Sequence, residues 1–149
     1  MKLFLFVLCI LSTVPMVTSC GKHHDPASDH SKEDHKSHQA APQGLELNNG
    51  KKWQMDTHTR DSFVRMVNIA DDVDLTVTDY QGLKTFGSNL LNELDLLIKG
   101  CTMTGDAHDQ LHVYLTGYIP AVQALAKSGR LADAKDVIYY LKLYGDYME

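Results

Sequence analysis

From about residue 57 onward the apolar residues fall at helical intervals. Phe63, Met66, Val67 and Ala70 follow the i, i+3, i+4, i+7 spacing, so they share one face of a helix expected from about His58 to Asp72, capped by Asp56 or Thr57. A second stripe, Leu83, Phe86, Leu90, Leu94 and Leu97, predicts a helix running to about Lys99, with Thr78 as cap and Gln81 completing a capping box. Cys101 continues that face. A third helix is expected after Asp106 as its cap, with Leu111, Leu115, Tyr118, Ile119, Val122 and Leu125 inward and Ser128-Gly129 closing it. Pro120 lies in its middle, where the missing N–H should kink the rod. The fourth runs from Arg130 to about Tyr147, with Leu131, Ala134, Ile138, Leu141 and Met148 inward. No segment alternates as a half-buried strand does. Four helices and short connectors predict an all-α fold, an antiparallel up-down four-helix bundle over residues 45–149. Trp53, in the lead-in after an Asn-Asn-Gly turn, is expected to pack against one end.

Ahead of the bundle the pattern breaks twice. Met1-Lys2, an apolar run from Leu3 to Val17 and the small residues Thr18 and Ser19 have the layout of an export signal over residues 1–19. The run is interrupted by Pro15 and is shorter than the roughly 20 residues a spanning helix uses. Residues 20–44 lack apolar periodicity and are rich in Ser, Asp, Lys, Pro and His, a composition that predicts a disordered tether.

The junction of these two stretches, Val17-Thr18-Ser19-Cys20, resembles the lipobox of bacterial lipoproteins, with Val and Thr where Leu and Ala are usual. The resemblance implies that Cys20 is lipidated, becomes the mature N-terminus and anchors the chain to a membrane of the cell envelope. The protein would then face the periplasm or the surface, and Gly21 in place of an aspartate leans toward the outer membrane.

Charge and cysteine usage narrow the functional classes. A net charge of −5 on 149 residues argues against a nucleic-acid partner. With Cys9 removed in the signal and Cys20 blocked by lipid, Cys101 is the one free thiol expected in the mature chain. It opens a stretch that gathers ligand-type side chains: Cys101, Met103, His108 and His112. The two histidines are spaced i, i+4 on the third helix, and backward extension of its stripe predicts that both face the bundle. In the up-down arrangement the start of the first helix, the turn between the second and third, and the end of the fourth share one pole. Met55 and His58 should therefore join the set, with Trp53, Tyr144 and Met148 completing the wall.

Thiolate, thioether and imidazole together favour copper, above all Cu(I), with zinc through Cys101, His108 and His112 as the alternative and Asp106 or His58 as a fourth ligand. Haem is disfavoured by the lack of a Cys-x-x-Cys-His sequence. The tether adds His23, His24, His30, His35 and His38 among acidic residues, a loose secondary collector. The expected role is sequestration, sensing or hand-off, with an envelope metal transporter or sensor as partner. Against this stands the reading of Cys101, Met103 and the histidines as ordinary packing and capping residues.

The segments Cys101-Thr102-Met103-Thr104-Gly105 and His108-Asp109-Gln110-Leu111-His112, with Leu47-Asn-Asn-Gly-Lys-Lys-Trp53, also resemble a family of small uncharacterised secreted helical proteins of bacteria. That resemblance implies a helical domain and brings no activity with it. Catalysis is disfavoured: no Gly-x-Ser-x-Gly elbow, phosphate-binding glycine loop or His-Glu-x-x-His is present, and the sequence names no oxyanion donor or orienting third group for a Cys101/His108 nucleophile and base. The remaining alternative is an interaction lipoprotein that docks a membrane-protein partner, with Tyr139, Tyr140, Tyr144 and Tyr147 as the first candidates for its face.

Overall fold

The computed structural model describes residues 39–149, and the lipobox, Cys20 and the tether histidines His23, His24, His30, His35 and His38 lie outside them. Four helices follow in order: α1 (Thr57–Asp71), α2 (Tyr80–Gly100), α3 (Asp106–Ser128) and α4 (Leu131–Tyr147). Each packs on its neighbours in the chain, α4 returns to α1, and α2 and α4 also approach across the diagonal. The all-α four-helix bundle predicted from the apolar spacing is the observed architecture, and no described helix is long and apolar enough to cross a membrane.

The stripes bury as their spacing requires on α2, where Leu83, Phe86, Leu90, Leu94 and Leu97 are all inside. On α4 the inward face is rotated. Ala134, Val137, Tyr140, Leu141 and Tyr144 are buried, whereas Leu131 is exposed and Ile138 is half-buried. Aromatic packing selects this face: Tyr144 stacks on Phe63 of α1 with ring centroids 3.5 Å apart, and Tyr114 of α3 sets its ring edge-on to both. The Tyr114 hydroxyl donates to the Tyr140 carbonyl at 2.9 Å, which ties α3 to α4 inside the core. Burial pushes the Tyr114, Tyr118 and Tyr144 phenols well above their ordinary range, so they act as neutral packing groups. Two of the four tyrosines considered for a docking face, Tyr140 and Tyr144, are thus interior, and Tyr139 and Tyr147 are half-buried.

The starts of α1 and α2 are set by side chains close in sequence. Asp56 caps α1, its carboxylate accepting the Thr59 N–H at 2.7 Å. The cap of α2 is Asp79, which accepts from the Gly82 N–H; Thr78, the expected cap, instead donates its hydroxyl to the Asp74 carbonyl. Asp74 organises that connector by accepting both the N–H and the hydroxyl of Thr76, which hold its carboxylate below the ordinary range. Asp106 lies just inside α3, whose N-cap is Gly105 at φ 79°, and α3 continues through Pro120 to Gly129, in the left-handed conformation at φ 61°.

The beginning and end of the domain are stitched together. Trp53 and Met148 form a parallel bridge in which the Trp53 N–H donates to Tyr147 and the Glu149 N–H donates to Trp53, followed by Met55 N–H to Glu149. Contacts with the bundle begin before Leu45: the Ala40 carbonyl accepts the Tyr140 hydroxyl, and the Gly44 carbonyl accepts from Gln110.

Candidate metal centre

The expected pole exists. The start of α1 meets the α2–α3 turn, because the Met103 sulfur accepts both the Asp56 N–H at 3.5 Å and the Thr59 hydroxyl at 3.4 Å. His58 reaches the end of α2, its Nε2 within 3.3 Å of the Leu96 and Leu97 carbonyls, with its ring over Gly100. Trp53 and Met148 bridge at the ends of the domain.

Within this pole the ligand-type residues divide into two groups. Cys101, His108 and His112 line one cavity of about 110 Å³ between α2 and α3, walled by Leu97, Ile98, Leu111 and Leu115. Met55, His58 and Met103 are outside that lining. Met55 is fully packed in the core, His58 donates to backbone carbonyls, and Met103 serves as an acceptor for the α1 cap.

The two histidines are aimed at each other. Their Nε2 atoms are 3.0 Å apart and the rings are perpendicular, at 89°. Ligands held at 2.0 to 2.1 Å from one metal and separated by an angle between a right angle and the tetrahedral one stand about 2.8 to 3.4 Å apart. The spacing therefore suits a single ion shared by both Nε2 atoms, as well as the hydrogen bond of a neutral pair. Contrary to the inward placement expected for both, His112 is exposed and His108 half-buried. Helical geometry accounts for this: His112 follows buried Leu111 by one residue, about 100° around the helix, which carries it to the rim of the apolar stripe.

Cys101, the C-cap of α2, is half-buried and reduced. Among the described residues no group of three or more His, Cys, Asp or Glu side chains stands together as a metal cluster. The pole thus provides a convergent imidazole pair, with a thiol elsewhere in the wall of the same cavity.

Ile98 was absent from the sequence-derived site. It lies off the buried stripe of α2, is 54% exposed, and forms a wall of the histidine cavity. A large apolar residue outside the helical stripe and facing a predicted ligand turn was the available signal. A separate hollow of about 330 Å³ lies between α1 and α4, floored by the buried Phe63, Leu141 and Tyr144, with Val64, Val67 and Gly145 also in its lining. It holds none of the cysteine or histidine residues.

No protein-family model matches this chain, and comparison with curated proteins and with solved structures found no match.

Proposed function

We propose that this chain is a lipid-anchored protein of the bacterial envelope whose helical bundle binds a soft transition metal, copper foremost and zinc as the alternative, for sequestration, sensing or hand-off. The observation that carries this reading is the convergence of the His108 and His112 Nε2 atoms to 3.0 Å in the cavity that Cys101 also lines. Two imidazoles and a thiol are a ligand set for Cu(I), and the sulfur joins the coordination sphere only if the α2–α3 turn moves it toward the histidine pair. Binding there releases the thiol proton, because the thiolate is the ligand. Met103, His58 and Met55 support the site by fixing the turn and the helix ends. The lipobox-like Val17-Thr18-Ser19-Cys20 supplies the membrane anchor, and the tether histidines collect metal loosely beside it. An envelope metal transporter or sensor is the partner this role calls for.

The test is a competitive titration of the full chain with Cu(I) and Zn(II), with His23, His24, His30, His35 and His38 changed to Ala so that the bundle alone is read. His108→Ala and Cys101→Ala should each weaken Cu(I) at least tenfold. Equal affinity in all three proteins overturns the metal reading. The interaction-lipoprotein alternative then takes over, favoured by the apolar hollow between α1 and α4 with Val64 and Val67 exposed at its edge.

A further inference from the structure

The histidine pair is short of ligands for a four-coordinate ion. His108 and His112 give two nitrogens, and no third His, Cys, Asp or Glu among the described residues is clustered with them. A closed zinc site takes four ligands in a tetrahedron. With Cys101 elsewhere in the cavity wall, the side left for two further ligands is the open one, where His112 is exposed and His108 is half-buried.

That side is apolar around the imidazoles. The histidine cavity continues along α2 and α3 into a hollow of about 340 Å³, and the two share Ile98, His112 and Leu115. Thr116, Ile119 and Pro120 complete its lining; Thr116 donates its hydroxyl back to the Val113 carbonyl, and Ile98 is more than half exposed. The charged side chains nearest in sequence are Asp106 and Asp109, both exposed, and the Lys99–Asp95 pair, whose charges answer each other at 2.6 Å. A surface with two ligands inside an apolar rim is complementary to a second copy of itself, because what each copy lacks is what the other supplies. A two-fold axis through the ion relates the two pairs and closes the tetrahedron.

We infer that Zn(II) is held between two copies of this chain, each contributing His108 Nε2 and His112 Nε2, with Ile98 beside the ion and Ile119 and Pro120 packing farther along the interface. The inference rests on the reading of the histidine pair as a metal site and adds its stoichiometry. Cys101 is not a ligand in this assembly. Cu(I), which is content with fewer ligands and prefers sulfur, stays within one copy, so the identity of the metal decides the assembly state.

The experiment is sedimentation velocity of the full chain carrying His23→Ala, His24→Ala, His30→Ala, His35→Ala and His38→Ala, in one detergent, with Zn(II) stoichiometry read by a competing chelating dye. Half an equivalent of Zn(II) should double the protein mass, and EDTA should restore the monomer. His108→Ala and His112→Ala should each abolish the dimer, whereas Cys101→Ala should leave it intact. Ile98→Glu, at an exposed position that the fold tolerates, should also prevent dimerisation. Co(II) in place of Zn(II) should give the visible absorption of a tetrahedral ion without a thiolate charge-transfer band. One Zn(II) per chain at unchanged mass, or a thiolate band that Cys101→Ala removes, overturns the shared site and leaves the metal-binding reading standing. Absence of any Zn(II) or Cu(I) binding overturns both.

Discussion

The sulfur of Met103 accepts the backbone N–H of Asp56 at 3.5 Å, across 47 residues of sequence. In a capping box, the N-cap side chain accepts the N3 N–H and an N3 side chain returns to the N-cap N–H. Here Asp56 does the first, through Thr59, and Met103 does the second from another part of the chain. The turn that opens α3 thereby closes the start of α1. Met103→Ala strands one N–H and one hydroxyl and is expected to cost about 1 to 3 kcal/mol in urea unfolding. Its Cu(I) affinity should stay within a factor of two of the parent; a tenfold loss would return the thioether to the ligand set.

Asp56 gives the pole a pH dependence of definite sign. Partial burial pushes its carboxyl up, but the Thr59 hydrogen bonds and the His58 and Arg60 charges outweigh this and hold it below its ordinary value of 3.8. A depressed native value means that the stabilisation is present above 3.8 and is lost as pH falls through the lower native value. Asp56→Ala should cost about 1 kcal/mol at neutral pH, as helix N-caps do. The gap between parent and variant should close on acidification below the ordinary carboxylate range. A constant gap from pH 7 to pH 2 would show that the cap acts through packing rather than charge.

Two glycines test how tightly the helices are set. A Cβ on Gly87 would lie 2.5 Å from the Ala126 nitrogen, a backbone atom of α3 that cannot swing aside. Gly87→Ala should therefore destabilise by about 1 to 3 kcal/mol, the range of an overpacked core. A Cβ on Gly145 meets nothing within 4 Å, and Gly145→Ala should gain about 0.5 to 1 kcal/mol from helix propensity. Opposite signs in thermal unfolding are the expected result; equal losses would place an unrecognised constraint on α4.

Much of this architecture was legible because α2 and α3 carry single clean stripes, and the short connectors leave an antiparallel bundle as the simple solution. The face of α4 was not, since its apolar residues surround most of the helix and only the stacking of Tyr144 on Phe63 selects among them. The pole itself followed from topology, and the gathering of Cys101, His108 and His112 around one cavity followed from their spacing. What the spacing could not carry was the division of labour inside the pole. Whether a thioether faces a metal or a helix cap depends on Asp56 and Thr59, which are remote in sequence. Likewise His112 is one residue from buried Leu111, and that single step moves it from the core to the rim.

Metal binding at the histidine pair should appear as folding stability. An ion that binds only the native state stabilises it by about 2.7 kcal/mol at a free concentration of 100 times Kd. For a domain of this size each kcal/mol raises Tm by roughly 4 to 8 °C. Metal-loaded protein should therefore melt well above the apo form, and a chelator should reverse the gain. Without metal, His112→Ala should change stability by no more than about 0.5 kcal/mol, because its ring is exposed and its one partner is the half-buried His108 imidazole. With metal, the same variant should lose nearly all of the increment. The neutral imidazole is the ligand, so acidification should erase the increment as protons displace the ion. Scanning calorimetry of parent and His112→Ala, each with and without metal at two pH values, isolates this coupling. An increment that survives His112→Ala would move the ion away from the α3 pair.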